Sequence, residues 1–160
     1  MIQRLNSIRK SFRGIDGFLV TDMNNIRYLT GFEGSSGFIL ITRDENIFAT
    51  DFRYKEDAEA KIKSWEIVIE KSRRPETIRK LAKKLKIRSL GFETSVSYGF
   101  FSSISMPGVS LKPFKNIVEK LRAVKDEEEI RSIREAVSRA EKAFLDVKPH
   151  IRRGERESRI

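Results

Sequence analysis

Apolar residues recur along this chain with two different periods, and the two alternate. Ile2, Leu5, Ile8 and Phe12 fall at helical spacing, which predicts an opening helix over residues 2–13 that stops at Gly14. The short apolar run from Ile15 to Val20 reads as a strand covered on both faces. Residues 24–30 predict a turn or short helix carrying Tyr28 and Leu29. Phe38–Thr42 and Ile47–Thr50 predict two strands joined by the polar turn Arg43-Asp44-Glu45-Asn46, a hairpin. Asp51 can cap a helix reaching about Ile62, with Tyr54, Ala58 and Ile62 on one side, and Trp65–Ile69 is the next strand.

Pro75 suits the first turn of a helix whose apolar stripe is Ile78, Leu81, Ala82 and Leu85. Ser89–Phe92 predicts a strand and residues 95–104 a short helix. Pro107-Gly108 is a breaker, and Val109–Leu111 an edge strand ending at Pro113. Strands alternating with helices around one antiparallel hairpin predict an α/β fold over residues 1–114: a layered α/β/α domain with a mixed sheet. Residues 115–125 read as a polar linker. Asp126 with Glu129 then resembles a capping box opening a long helix, with Ile130, Ile133, Val137, Ala140, Phe144 and Val147 as its stripe and Pro149 as its end. That stripe calls for a cover: the domain's own sheet, a second copy, or further sequence.

Composition narrows the function classes. The 160 residues suit one domain with an extension, and 39% apolar content supports a core under a 35% charged surface. No run approaches the roughly 18 apolar residues that cross a bilayer. The opening Met1-Ile2-Gln3-Arg4 has no apolar signal core, so the expected location is cytoplasmic. With no cysteine, disulfides and thiolate metal sites are excluded.

The net charge of +10 raises nucleic acid as an alternative partner. Much of the surplus lies in Arg4, Arg9, Lys10 and Arg13 and in the run Lys71–Arg88, expected on solvated faces of amphipathic helices without interleaved aromatics. A nuclease of the ribonuclease-H-like type needs carboxylates converging on two magnesium ions. Asp16, Asp22, Asp51 and Glu93 are the candidates, but they are scattered along the chain.

Five boxes in order carry a resemblance. They are Asp16-Gly17-Phe18-Leu19-Val20, then Asn25-Ile26-Arg27-Tyr28-Leu29-Thr30-Gly31-Phe32, and after the glycine-bearing stretch Glu33–Gly37, Thr50-Asp51-Phe52-Arg53-Tyr54. Leu121–Ile130 continuing to Ala136, and Ile151-Arg152-Arg153-Gly154-Glu155, complete the set. Together they resemble the N-terminal, creatinase-like domain of the creatinase/prolidase/Xaa-Pro aminopeptidase (pita-bread) metallopeptidases, entering the catalytic domain at residues 126–160. The loop wording is more similar to Xaa-Pro aminopeptidases and Xaa-Pro dipeptidases (prolidases) than to creatinase.

The resemblance implies a noncatalytic domain for dimerisation and active-site covering. Two divalent ions, manganese or cobalt, would sit on ligands in an absent catalytic domain, activating a hydroxide against the bond preceding proline. The implied partners are a second copy and a peptide with proline at its second position, with no membrane.

No catalytic residue and no metal ligand is assigned within residues 1–160. His150, the single histidine, reads as a solvated loop residue. By resemblance, the loop Phe32, Glu33, Gly34, Ser35 and Ser36 reaches toward the partner subunit's pocket. Phe32 is either an apolar wall or core filling, and Glu33 can meet a free amine. Tyr28, Gly31, Asp51, Arg53 and Tyr54 read as structural. A stand-alone regulatory interaction module is the remaining alternative.

Overall fold

The computed structural model describes residues 2–154, Arg156 and Ser158, with the side chain of Ile2 left out. Among them six strands form one sheet: β1 (Gly17–Val20), β2 (Phe38–Thr42), β3 (Asn46–Thr50), β4 (Glu66–Ile69), β5 (Ser89–Glu93) and β6 (Ser110–Phe114), in the order β4-β3-β2-β1-β5-β6. β1 pairs antiparallel with β2, and β2 with β3. The pairs β3/β4, β1/β5 and β5/β6 are parallel, so β2 alone runs against the rest. The sheet is mixed, as the hairpin between β2 and β3 predicts. Pro113 lies in β6, at the sheet edge, where a missing ladder donor costs little.

Two-residue alternation sends neighbouring strand side chains into two separate cores. On one face Phe18, Val20, Ile39, Ile41 and Phe48 meet Leu5, Ile8 and Phe12 from the first helix and its following turn, with Ile26, Leu29, Ala58 and Ile62. On the other, Leu19, Phe38, Leu40, Ile47, Leu90 and Phe92 meet Ile78, Leu81, Ala82 and Ile104. Helices α1 (Ile2–Lys10), α2 (Met23–Thr30) and α3 (Lys55–Lys61) thus cover one face, and α4 (Arg74–Lys84) and α5 (Tyr98–Ile104) the other. The α/β/α layering follows directly.

Local departures have local causes. The opening helix ends at Lys10, where Ser11 and Phe12 donate to carbonyls three residues back and Gly14 takes φ 67°. Phe12 is still buried, so the apolar period outlasts the helix. Asp51 caps a 3-10 turn, Phe52–Tyr54, before α3 begins at Lys55, giving two short helical pieces in place of one. Residues 117–123, read above as part of a polar linker, form helix α6 (Ile117–Ala123), with Val118 buried and Ile117 and Leu121 packed on the first core.

The basic residues of α1 also depart from expectation. Arg4 donates to the Tyr28 carbonyl at 2.8 Å and lies 3.9 Å above the Tyr28 ring. Arg9 donates to the Thr42 carbonyl at 2.9 Å and to Asn46 at 2.7 Å. Part of the positive surplus is therefore spent on capping carbonyls of the fold, not on a solvated face.

The chain divides into two compact units, residues 1–122 and 123–160. The second contains α7 (Glu127–Val147), which opens with the expected capping box: Glu129 N–H donates to Asp126 and Asp126 N–H to Glu129. α7 ends at Val147, and Lys148–His150 forms a 3-10 turn in which His150 is exposed. Glu155, in the last family box, lies outside the described residues.

Candidate functional site

The loop 33–37 leaves α2 through a left-handed C-cap. Gly31 takes φ 75° there and donates its N–H to the Arg27 carbonyl at 2.7 Å. A side chain at φ 75° would be strained, which is why the box carries glycine at this position. Phe32 then turns inward and is fully buried, its ring 4.8 Å from Phe48 and 5.4 Å from Tyr54. Gly34 crosses directly over that ring, where a Cβ would stand 2.2 Å from Phe32 Cζ.

Three hydrogen bonds hold the rest of the loop. Ser35 Oγ lies 2.8 Å from the Tyr54 hydroxyl, a contact that lowers the Tyr54 phenol below its ordinary range. The Ser36 carbonyl accepts from Thr50 Oγ1 at 2.6 Å, and Ser36 Oγ from Arg74 at 2.8 Å. Arg74 is itself paired with the largely buried Glu70 at 3.0 Å. Glu33 and Ser35 are the exposed residues of the loop, and the Glu33 side chain is 68% exposed and 3.7 Å from Lys61. Asp57, at 2.9 Å, is the closer counterion of Lys61 and the main reason its pKa is raised.

Asp51 sits at the carboxyl end of β3 and accepts from the Arg53 N–H at 3.1 Å. The Arg53 guanidinium grips both carboxylate oxygens at 2.9 Å, and this fork holds the Asp51 pKa at about 2. Tyr54, the next residue, joins turn and loop through Ser35. Tyr28 carries the Arg4 guanidinium on its ring, 3.9 Å from its centroid.

A buried polar cluster lies at the carboxyl ends of β1 and β5. Glu93 is 4% exposed and accepts the backbone N–H groups of Thr21 and Asp22 at 2.7 and 2.9 Å on Oε2. Its Oε1 accepts from Asn25 Nδ2 at 2.7 Å. The same Nδ2 donates to Glu119 at 2.7 Å, while Arg122 donates to Asn25 Oδ1 at 2.9 Å. Partners on both sides fix the amide's orientation: nitrogen between two carboxylates, oxygen toward a cation. Burial raises the Glu93 pKa, the donors oppose this, and Glu119 adds to the rise.

Sequence reading offered Glu93 only as a scattered acid and gave Asn25 no role. The signals were a glutamate ending an apolar strand and an asparagine inside an apolar box, and nothing linear joins residues 68 apart.

The Creatinase/Prolidase N-terminal domain model matches residues 3–124. The chain belongs to that family. Among relatives of this creatinase/prolidase N-terminal domain, the Bacillus subtilis protein described as uncharacterized peptidase YqhT is 38% identical over 156 residues, covering 94% of this chain and 44% of that one. An Xaa-Pro dipeptidase from Bacillus anthracis superposes with TM-score 0.90 at 34% identity, covering 98% of this chain and 45% of that one. The N-terminal domain of cytoplasmic peptidase PepQ from Mycobacterium tuberculosis superposes with TM-score 0.66 at 26% identity, covering 74% of this chain and 98% of that domain. The chain spans less than half the length of the first two and matches the N-terminal domain of Xaa-Pro peptidases.

The carboxylates weighed for metal do not converge. Asp16 accepts the Arg88 and Ser89 N–H groups, Asp22 caps α2, Asp51 caps its turn, and Glu93 is committed to Thr21, Asp22 and Asn25. Among the described residues no group of three or more His, Cys, Asp or Glu could hold an ion. The described donors therefore do not fit a metal pair. No helix of the described residues is long and apolar enough to cross a membrane.

Proposed function

We propose that this chain is the noncatalytic N-terminal domain of a proline-specific metallopeptidase, an Xaa-Pro aminopeptidase or Xaa-Pro dipeptidase. Its work would be dimerisation and covering of the active site. The observation that carries this is the family match over residues 3–124 in a chain that spans 44% of the uncharacterized peptidase YqhT and 45% of the Bacillus anthracis Xaa-Pro dipeptidase. Peptides with proline at the second position are the substrates on this reading. Manganese or cobalt ions would be held by residues outside this chain, and the setting is cytoplasmic.

The loop geometry supports a covering role. Phe32 anchors it from below, Tyr54, Thr50 and Arg74 hold its far side, and Glu33 projects. A pre-held loop presents its outward carboxylate without an ordering cost at each encounter. Glu33 would take a peptide's free amine in a partner's pocket by charge pairing, replacing a 3.7 Å contact with Lys61 that solvent already weakens.

The test is direct. The 160-residue chain, incubated with Xaa-Pro dipeptides and manganese or cobalt, should release no proline above the blank, and turnover would overturn the noncatalytic reading. Light scattering across concentration should give a dimer mass, and a monomer at every concentration removes the dimerisation role.

A further inference from the structure

We propose that Asn25 is a positioning residue that couples the seating of α6 to the placement of the 33–37 loop, with α2 as the rigid connector. The amide group is the meeting point. Its nitrogen is shared between Glu93, on the sheet, and Glu119, on α6, both at 2.7 Å, and its oxygen accepts from Arg122, also on α6, at 2.9 Å. Asn25 is fully buried, so these partners have no ready substitute in water. Of the three side-chain bonds, two go to α6.

The other end of α2 is the root of the loop. Thr30 Oγ1 donates to the Ile26 carbonyl at 2.8 Å and accepts from the Phe32 N–H at 3.1 Å, while Gly31 N–H returns to Arg27. α2 is eight residues long, and its N-terminal turn is fixed by Asp22, which accepts from the N–H groups of Asn24 and Asn25. A body so short, gripped at one end by α6 and bonded at the other to Phe32, moves as a unit. Displacing α6 draws on Asn25, and the shift reaches Gly31 and Phe32 without a separate hinge.

α6 also carries the chain out of the first compact unit, which closes at Arg122. Its seating is therefore the natural place for whatever follows to act on the loop. That regulatory meaning rests on the loop function proposed above. The coupling is measured within this chain and stands or falls separately.

The experiment is amide exchange by NMR on the full 160-residue chain carrying Arg122→Met, which removes a donor on α6 and leaves α2 intact. Three readouts matter: Lys120 and Leu121 in α6, Gly31 and Phe32 at the loop root, and Leu19 and Leu90 in paired strands as the global reference. The expected result is about tenfold or more faster exchange at both α6 and the loop root, the scale of losing one hydrogen bond to a charged group, with the strand amides unchanged.

Arg122→Lys, which keeps a donor, should restore much of the protection at both places. Asn25→Ala should give a larger change of the same pattern. Faster exchange in α6 with Gly31 and Phe32 unchanged overturns the proposal. So does a uniform rise that includes the strands in Arg122→Met, since that is global loss of stability. If Asn25→Ala fails to fold, the Arg122 pair still decides.

Discussion

Residues 1–122 and residues 123–160 both carry strong apolar periods, yet they end with opposite burial. In the first unit Ile8, Ile26 and Ile78 are fully buried against the sheet. In the second, Ile133, Val137, Phe144 and Leu145 of α7 are 49%, 50%, 59% and 62% exposed. The helices of the first unit are the shorter ones, at 7 to 11 residues, and α7 has 21. Length and amphipathic period make a helix, but only a complementary surface buries its stripe. In the first unit the sheet provides two such surfaces.

The contrast can be broken by substitution. Phe18→Ala, in the middle of β1, should destabilise the sheet unit by about 3–5 kcal/mol in a denaturant titration, through lost transfer energy and the cavity left behind. Gly34→Ala should cost about 1–3 kcal/mol, because its Cβ must displace the Phe32 ring packed between Phe48 and Tyr54. The measurement is again the unfolding midpoint, and a loss under a few tenths would mean the loop is not pressed on the core.

Smaller effects sharpen the comparison. Asp51→Ala should lose about 1 kcal/mol at neutral pH, as helix caps do. Its sign with pH follows from a depressed carboxylate: the contribution is complete above the ordinary 3.8 and is lost as pH falls through about 2. Stability curves of the two proteins should therefore converge on acidification, and a constant gap would contradict the Arg53 fork. Phe144→Ala, on α7, should change the sheet unit's midpoint by less than about 0.5 kcal/mol. An effect as large as that of Phe18→Ala would erase the distinction between the units.

Much of the sheet unit was legible. Phe38–Thr42 and Ile47–Thr50 are apolar runs on either side of a polar turn, the second strand opening one residue earlier at Asn46, and Asp126 with Glu129 announced the start of α7. α6 was not legible, because it is only seven residues long and its apolar Ile117, Val118 and Leu121 are interrupted by Glu119, Lys120 and Arg122. The break at Tyr54 escaped for a related reason: a 3-10 turn and an α-turn share one apolar stripe through Ala58 and Ile62. In the loop, Gly34 and Ser35 were recognised by position. That Phe32 faces inward, and Glu33 outward beside Lys61, depends on neighbours 16 to 28 residues away.

Sequence alone determined the order of the strands and of the helices other than α6, the mixed sheet and the family, because those rest on short-range period, caps and contiguous boxes. The tertiary structure decided which buried polar atoms meet. Asn25, Glu93, Glu119 and Arg122 come together only when β1, β5, α2 and α6 pack. Arg4 and Arg9 likewise find their carbonyls on other elements. A periodic pattern is written in neighbouring residues, whereas a hydrogen-bond partner is selected by desolvation across a fold and leaves no linear trace.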